Sequence, residues 1–171
     1  MSKTTNTSET VTDQGRLQQI VVFKLGQEEY GLTIDQIREV VITPTITRLP
    51  QTPLYIKGVS NIRGNVIAIL NLEEKFQLTK SAESITRADK TFTLVIESDE
   101  YKMGILVYEV PNTLSISSAS IENSVFMNDH QSEQSYITGI VKLDKRLIVM
   151  IDIFKVIQDK DTQKVLAGQQ I

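Results

Sequence analysis

Tyr55-Ile56-Lys57-Gly58-Val59-Ser60-Asn61-Ile62-Arg63-Gly64-Asn65-Val66-Ile67-Ala68-Ile69-Leu70-Asn71-Leu72 decides the fold, because its pattern returns 81 residues later. Tyr55, Ile56, Gly58, Val59 and Ile62 face Tyr136, Ile137, Gly139, Ile140 and Leu143. Val66, Ile67, Ile69, Leu70, Asn71 and Leu72 face Leu147, Ile148, Met150, Ile151, Asp152 and Ile153. Few positions are identical; what repeats is the order of apolar, glycine and turn residues. Upstream, Gly31, Leu32 and Ile34 recur as Gly104, Ile105 and Val107 at an offset of 73. The two offsets differ by eight residues, which places the extra length in the polar segment Ser115 to Ser135, where a loop absorbs it at small entropic cost.

The runs Ile20 to Leu25, Gly31 to Ile34, Val40 to Ile42, Val66 to Leu72, Phe92 to Ile96, Met103 to Val107 and Leu147 to Ile153 are short and β-branched, with polar turns between them. Such spacing predicts a mostly β chain. The repeat divides it into a unit at about residues 17–80 and a second at about 90–157, joined by a polar linker, 79–90. Units of about 65 residues bury only about 60% of their unfolded surface and are marginal alone, so two small barrels packed together are expected. Val66 to Leu70 is apolar at every position, as a strand covered on both faces must be. One face should fill a barrel and the other should meet its twin. Residues 1–16, rich in Ser and Thr, read as a disordered lead. The stretch from Ile153 to about Leu166 reads as one helix with a weak apolar stripe, followed by a tail to residue 171.

Composition removes several functions. Of 171 residues 40% are hydrophobic, and 18 Lys and Arg stand against 21 Asp and Glu for a net charge of −3, which disfavours a nucleic-acid partner. There is no Cys and one His, His130, so thiolate zinc sites, Fe–S clusters and cysteine nucleophiles have no ligands. His130 lies in polar Asn128-Asp129-His130-Gln131-Ser132 and reads as a solvated loop histidine. The pairs Glu28-Glu29, Glu73-Glu74 and Asp99-Glu100 could suggest acid/base carboxylates, yet two of them occupy turns where charge is simply solvated, and no phosphate loop or dinucleotide fingerprint occurs. No catalytic residue, cofactor or metal is expected. The two longest aliphatic runs, at 66–70 and 147–151, are five residues each, far below the roughly 20 that span a bilayer. With no apolar leader after Met1, a cytoplasmic protein is expected.

What remains is a surface. Gly58 to Ile67 reads as strand, tight turn, strand, with Gly64-Asn65 supplying residues tolerant of positive φ and Arg63 at the tip. Arg63 is open to two readings: a hydrated turn arginine, or an interface anchor of the kind arginine often provides. Glu39, on the strand leaving the first hairpin, is a candidate partner for it. Pro44, Pro50 and Pro53 stiffen the intervening segment, which must cross an edge or a groove.

Ile37-Arg38-Glu39-Val40, then Ile46 to Val59 with Leu49-Pro50-Gln51-Thr52-Pro53, then Asn61-Ile62-Arg63-Gly64 and Val66 to Leu72 resemble the CheW family of bacterial chemotaxis coupling proteins. The likeness runs from about residue 17 to 160 and includes Tyr136-Ile137-x-Gly139. It implies two intertwined, five-stranded SH3-like barrels with short helices, and an adaptor without catalytic activity. The implied partners are the cytoplasmic tip of chemoreceptors, the regulatory domain of the histidine autokinase CheA and, in rings, further copies of the adaptor. By position, Glu39 and Arg63 match the family's polar coupling residues, with Ile37, Val40, Val59, Asn61 and Gly64 as their neighbours. The resemblance favours the interface reading of Arg63. It implies recruitment to membrane-associated arrays without membrane insertion. Asn71, Glu73 and Gln77 depart from the family pattern, and the reversed charge at Glu73 is expected to alter a partner surface. The rivals are a CheW-like adaptor of a non-chemotaxis pathway, a CheV-like protein, for whose receiver domain the residues after Ile157 leave no room, and a small barrel that binds a ligand or nucleic acid.

Overall fold

The computed structural model describes residues 16–78, 90–122 and 136–168. The N-terminal lead apart from its last residue, the linker apart from Lys90, His130 and the last three residues of the tail lie outside the described residues. Eleven strands are described: β1 (Leu17–Leu25), β2 (Glu28–Thr33), β3 (Ile37–Ile42), β4 (Ile56–Ile62), β5 (Asn65–Leu70), β6 (Phe92–Glu97), β7 (Lys102–Val107), β8 (Asn112–Ser117), β9 (Ile121–Glu122), β10 (Ile137–Leu143) and β11 (Arg146–Ile151). Three α-helices are described with them: α1 (Leu72–Lys75), α2 (Ile153–Val156) and α3 (Lys160–Ala167). One sheet has the order β8-β1-β2-β11-β10-β9 and the other β3-β6-β7-β5-β4.

The duplication is present in three dimensions. Ile69 of β5 lies opposite Gly104 of β7 in a parallel pair, and Met150 of β11 lies opposite Gly31 of β2 in the matching one, so both sequence offsets are honoured. Register slips by one residue at Ile56/Gly58 in β4 and again at Ile137/Gly139 in β10. Asn71 N donates to Tyr55 O at 2.7 Å and Asp152 N to Tyr136 O at 2.8 Å.

The sheets do not follow the sequence units drawn at 17–80 and 90–157. Hairpin β1–β2 sits in the sheet of β8–β11, while hairpin β6–β7 sits in the sheet of β3–β5. The reason is the parallel pairing of β2 with β11 and of β5 with β7, which tight turns between neighbours cannot make. Each half therefore completes the other's barrel.

The two-faced reading of β5 holds at four of its five apolar positions. Ile67 and Ile69 pack with Ile62, Val95 and Leu106 inside one barrel. Ala68 and Leu70 join the central cluster, which draws Phe23 and Leu32 from one sheet and Leu94 and Ile105 from the other. In β11, Ile148 and Met150 fill the second barrel with Ile20, Val22 and Val141, while Ile151 belongs to the central cluster. Each such side chain contributes about 1.5–3 kcal/mol of burial. Val66 is the exception: at the rim of the barrel it is 59% exposed, as its repeat partner Leu147 is at 61%.

Two further expectations are corrected. The C-terminal helix is broken, because Asp159 adopts an extended conformation and caps α3, its carboxylate accepting from Thr162 N at 3.0 Å. The polar segment assigned to a loop from Ser115 begins as strand, since β8 pairs with β1 from Val22↔Asn112 to Leu17↔Ser117 and β9 pairs with β10. At a sheet edge, outward Ser and Asn cost nothing in burial.

Candidate functional site

The five-stranded sheet closes on itself where the chain beyond β3 meets β4. Thr47 and Val59 exchange both backbone hydrogen bonds at 2.8 Å, and Ser60 Oγ donates to Thr45 O at 3.1 Å. Gly58 makes this approach possible: its φ is +140°, and a Cβ there would lie 2.1 Å from Thr47 O. The proline-rich segment thus crosses an open edge, as its stiffness required.

Closure brings the start of β3 beside the tip of the β4–β5 hairpin. Ile62 pairs with Asn65, so the turn residues are Arg63 (φ +51°) and Gly64 (φ +83°), one position earlier than the expected Gly64-Asn65. Positive φ at both central residues matches the twist of the flanking strands. Asn61 fastens the turn, its Oδ1 accepting from Gly64 N at 3.0 Å. Arg63 Nε donates to both oxygens of Glu39, at 3.0 and 2.7 Å. Glu39 is 22% exposed and Arg63 73%, so the carboxylate is the fixed member and the guanidinium presents its terminal nitrogens to solvent. The pair sits over a hollow of about 170 Å³ at the barrel mouth, floored by Ile67 and Val95. Arg38 and Lys102 line the same mouth and both reach Glu97, at 3.0 and 3.5 Å. The sequence reading missed this second ion group, although Arg38 beside Glu39 was a signal for it.

The structure gathers some of the expected residues and separates others. Glu39, Asn61, Arg63 and Gly64 meet at the mouth. Val59 shares the outward face of β4 with Asn61, while Val40 is exposed on β3. Alternation along β3 turns Val40 away from the side of Glu39 and Val41. Ile37 does not reach the surface patch: it is half-buried and packs against the central core.

Glu73 is corrected outright. It is 2% exposed and its Oε1 accepts from Gly26 N, at the β1–β2 turn, at 2.8 Å, so the charge ties a turn of one sheet to the helix leaving the other. Beside it, an open groove of about 760 Å³ runs under Leu49, Pro53 and Leu54, with Lys57 and Glu74 paired at its side.

A second polar cluster fastens α3. Asp159 accepts from Lys75 Nζ at 2.6 Å and Tyr55 Oη at 3.0 Å, and Lys75 lies 4.1 Å from the centre of the Tyr55 ring. Burial pushes the Asp159 carboxyl up, but hydrogen bonds from Lys75, Thr162 and Tyr55 outweigh it and hold the group at about 2. On the other sheet, Arg146 holds Glu29 below the usual carboxylate range through bonds of 3.0 and 2.7 Å, burial opposing.

Among the described residues no set of three His, Asp or Glu could hold a metal ion, and no helix is long and apolar enough to cross a membrane. The distinctive polar group stands on an exposed hairpin turn at the mouth of one barrel. The chain belongs to the CheW-like domain family, whose model matches residues 19–161. It is 29% identical over 144 residues to the chemotaxis protein CheW of Klebsiella aerogenes, covering 84% of each chain. To the CheW of Treponema pallidum it is 26% identical over 148 residues, covering 85% of each. The crystal structure of the scaffolding protein TtCheW from Thermoanaerobacter tengcongensis matches with a TM-score of 0.71 at 29% identity, covering 85% of this chain and 96% of that one. This is an adaptor of the chemotaxis type.

Proposed function

We propose that this chain couples the cytoplasmic tip of chemoreceptors to the regulatory domain of the histidine autokinase CheA, binding both and transforming neither. The observation that carries the reading is the Glu39–Arg63 pair: a bidentate carboxylate anchors an arginine that stays 73% exposed on a rigid two-residue turn. A pre-positioned, solvent-facing guanidinium loses little side-chain freedom when a partner pairs with it, and arginine is prominent among the residues that dominate interface energies. Family membership supplies the chemotaxis context. On this reading Val59, Asn61 and Gly64 flank the contact, and Val40 extends it around β3. The protein works in the cytoplasm and reaches the membrane through the receptors it binds.

The test is calorimetric titration of a receptor-tip fragment and of the kinase regulatory domain, separately, against the wild type and Arg63→Glu. We expect at least one affinity to fall tenfold or more, about 1.4 kcal/mol, with the melting temperature nearly unchanged. Unchanged affinity for both partners would overturn the reading.

A further inference from the structure

We infer that the two halves of this chain are exchangeable between copies, so that its fold provides an interface for a second copy made of strand ladders and not of surface contact. Among the described residues, 16–78 is joined to 90–122 and 136–168 by four ladders. Two are antiparallel, β1 with β8 and β3 with β6, and two are parallel, β2 with β11 and β5 with β7. Ion pairs cross the same boundary, Glu29 with Arg146 and Lys75 with Asp159. Within a half there are the hairpins and the short closures at Thr47–Val59 and Glu122–Ile140. A half on its own leaves the edges of β1, β2, β3 and β5 without partners, which is a template for another chain.

None of these contacts depends on both halves belonging to one molecule. The choice between a chain's own second half and a foreign one is set by the connection through residues 79–89, which confers an effective concentration on the order of mM. Twelve Cα steps from Leu78 to Lys90 reach at most about 40 Å, long enough to run between two touching globules. Below that concentration the closed monomer is the equilibrium form. Exchange requires all four ladders to open, so a species formed by refolding at high concentration is kinetically trapped. The exchanged dimer carries two Arg63 hairpins on one particle and is bivalent for whatever that hairpin binds.

The test uses the whole wild-type chain. Unlabelled and isotope-labelled copies are mixed in guanidinium, refolded at about 1 mM, and weighed by light scattering and native mass spectrometry. The expected product includes a mixed-label dimer that survives a thousandfold dilution for hours and returns to monomer only after unfolding and refolding at about 1 μM. Monomer alone, or a dimer that dissociates within minutes of dilution, overturns the inference. A second arm refolds Gly58→Asp together with Gly139→Asp. Each lesion is confined to one half, since a Cβ at Gly139 would lie 2.7 Å from Ile121 Cγ2. The intact halves should meet in a dimer with a wild-type-like melting transition absent from either variant alone. A mixture that melts as the sum of its components counts against exchange.

Discussion

Two glycines in one hairpin separate backbone freedom from space. Gly58 and Gly64 both have positive φ, yet a Cβ at Gly58 would overlap Thr47 O whereas one at Gly64 meets nothing within 4 Å. Gly58→Asp should therefore cost more than about 3 kcal/mol, because barrel closure itself must give way, while Gly64→Ala should cost only about 1 kcal/mol of strain. Urea titration of the two variants distinguishes them; equal losses would place the cost in backbone conformation alone. The need for a small residue at Gly58 was legible from its recurrence at Gly139. The reason was not, since the contact is with a carbonyl eleven residues upstream in a segment without periodicity. Glu39 and Arg63 were legible as candidates, but their contact depends on closure of the sheet, which no spacing reveals.

Among the elements, α1 shows how a four-residue helix is held. Asn71 Oδ1 accepts from Glu73 N at 2.9 Å and Glu74 N at 3.4 Å, and Glu73 carries the link to Gly26. Glu73→Ala should destabilise the protein by about 1–3 kcal/mol, because the buried Gly26 N–H loses its acceptor. A loss below about 0.5 kcal/mol in denaturant unfolding would show that water replaces the carboxylate. Local sequence gave the wrong impression here: two adjacent glutamates after a strand resemble a solvated turn, and only the arrival of the β1–β2 turn from the other sheet buries one of them. The break before α3 was similarly hidden, because Phe154, Ile157 and Val165 keep a helical rhythm across it while Asp159 turns the chain outward to meet Lys75 and Tyr55.

Over the whole molecule, the duplicated plan was readable and the exchange of hairpins was not. Offsets compare residues with their copies, whereas pairing is decided by which edges remain open after the turns have closed. The Asp159 cluster, joining residues over a hundred positions apart, gives this architecture a pH signature. Its folded-state value of about 2 lies below the ordinary 3.8, so its stabilisation is complete above pH 3.8 and is lost as pH falls from there towards 2. The side chain is 40% exposed, and after solvent screening about 1 kcal/mol is expected. Asp159→Asn should lower stability by that amount at pH 7 and by only a small part of it at pH 2, where the folded carboxyl is half protonated, measured by thermal unfolding across the range. An equal deficit at both values would assign the loss to geometry instead of charge.

The exchange of hairpins also sets an order of birth on the ribosome. The sheet of β3–β7 has all its strands once Val107 has emerged, whereas β1 and β2, made first, wait for β11 and cannot complete their ladder until Ile151 is synthesised. Of the described strands, β1 and β2 are thus the first made and among the last to complete their ladders, and during that interval their open edges are where a nascent chain is most exposed to mispairing.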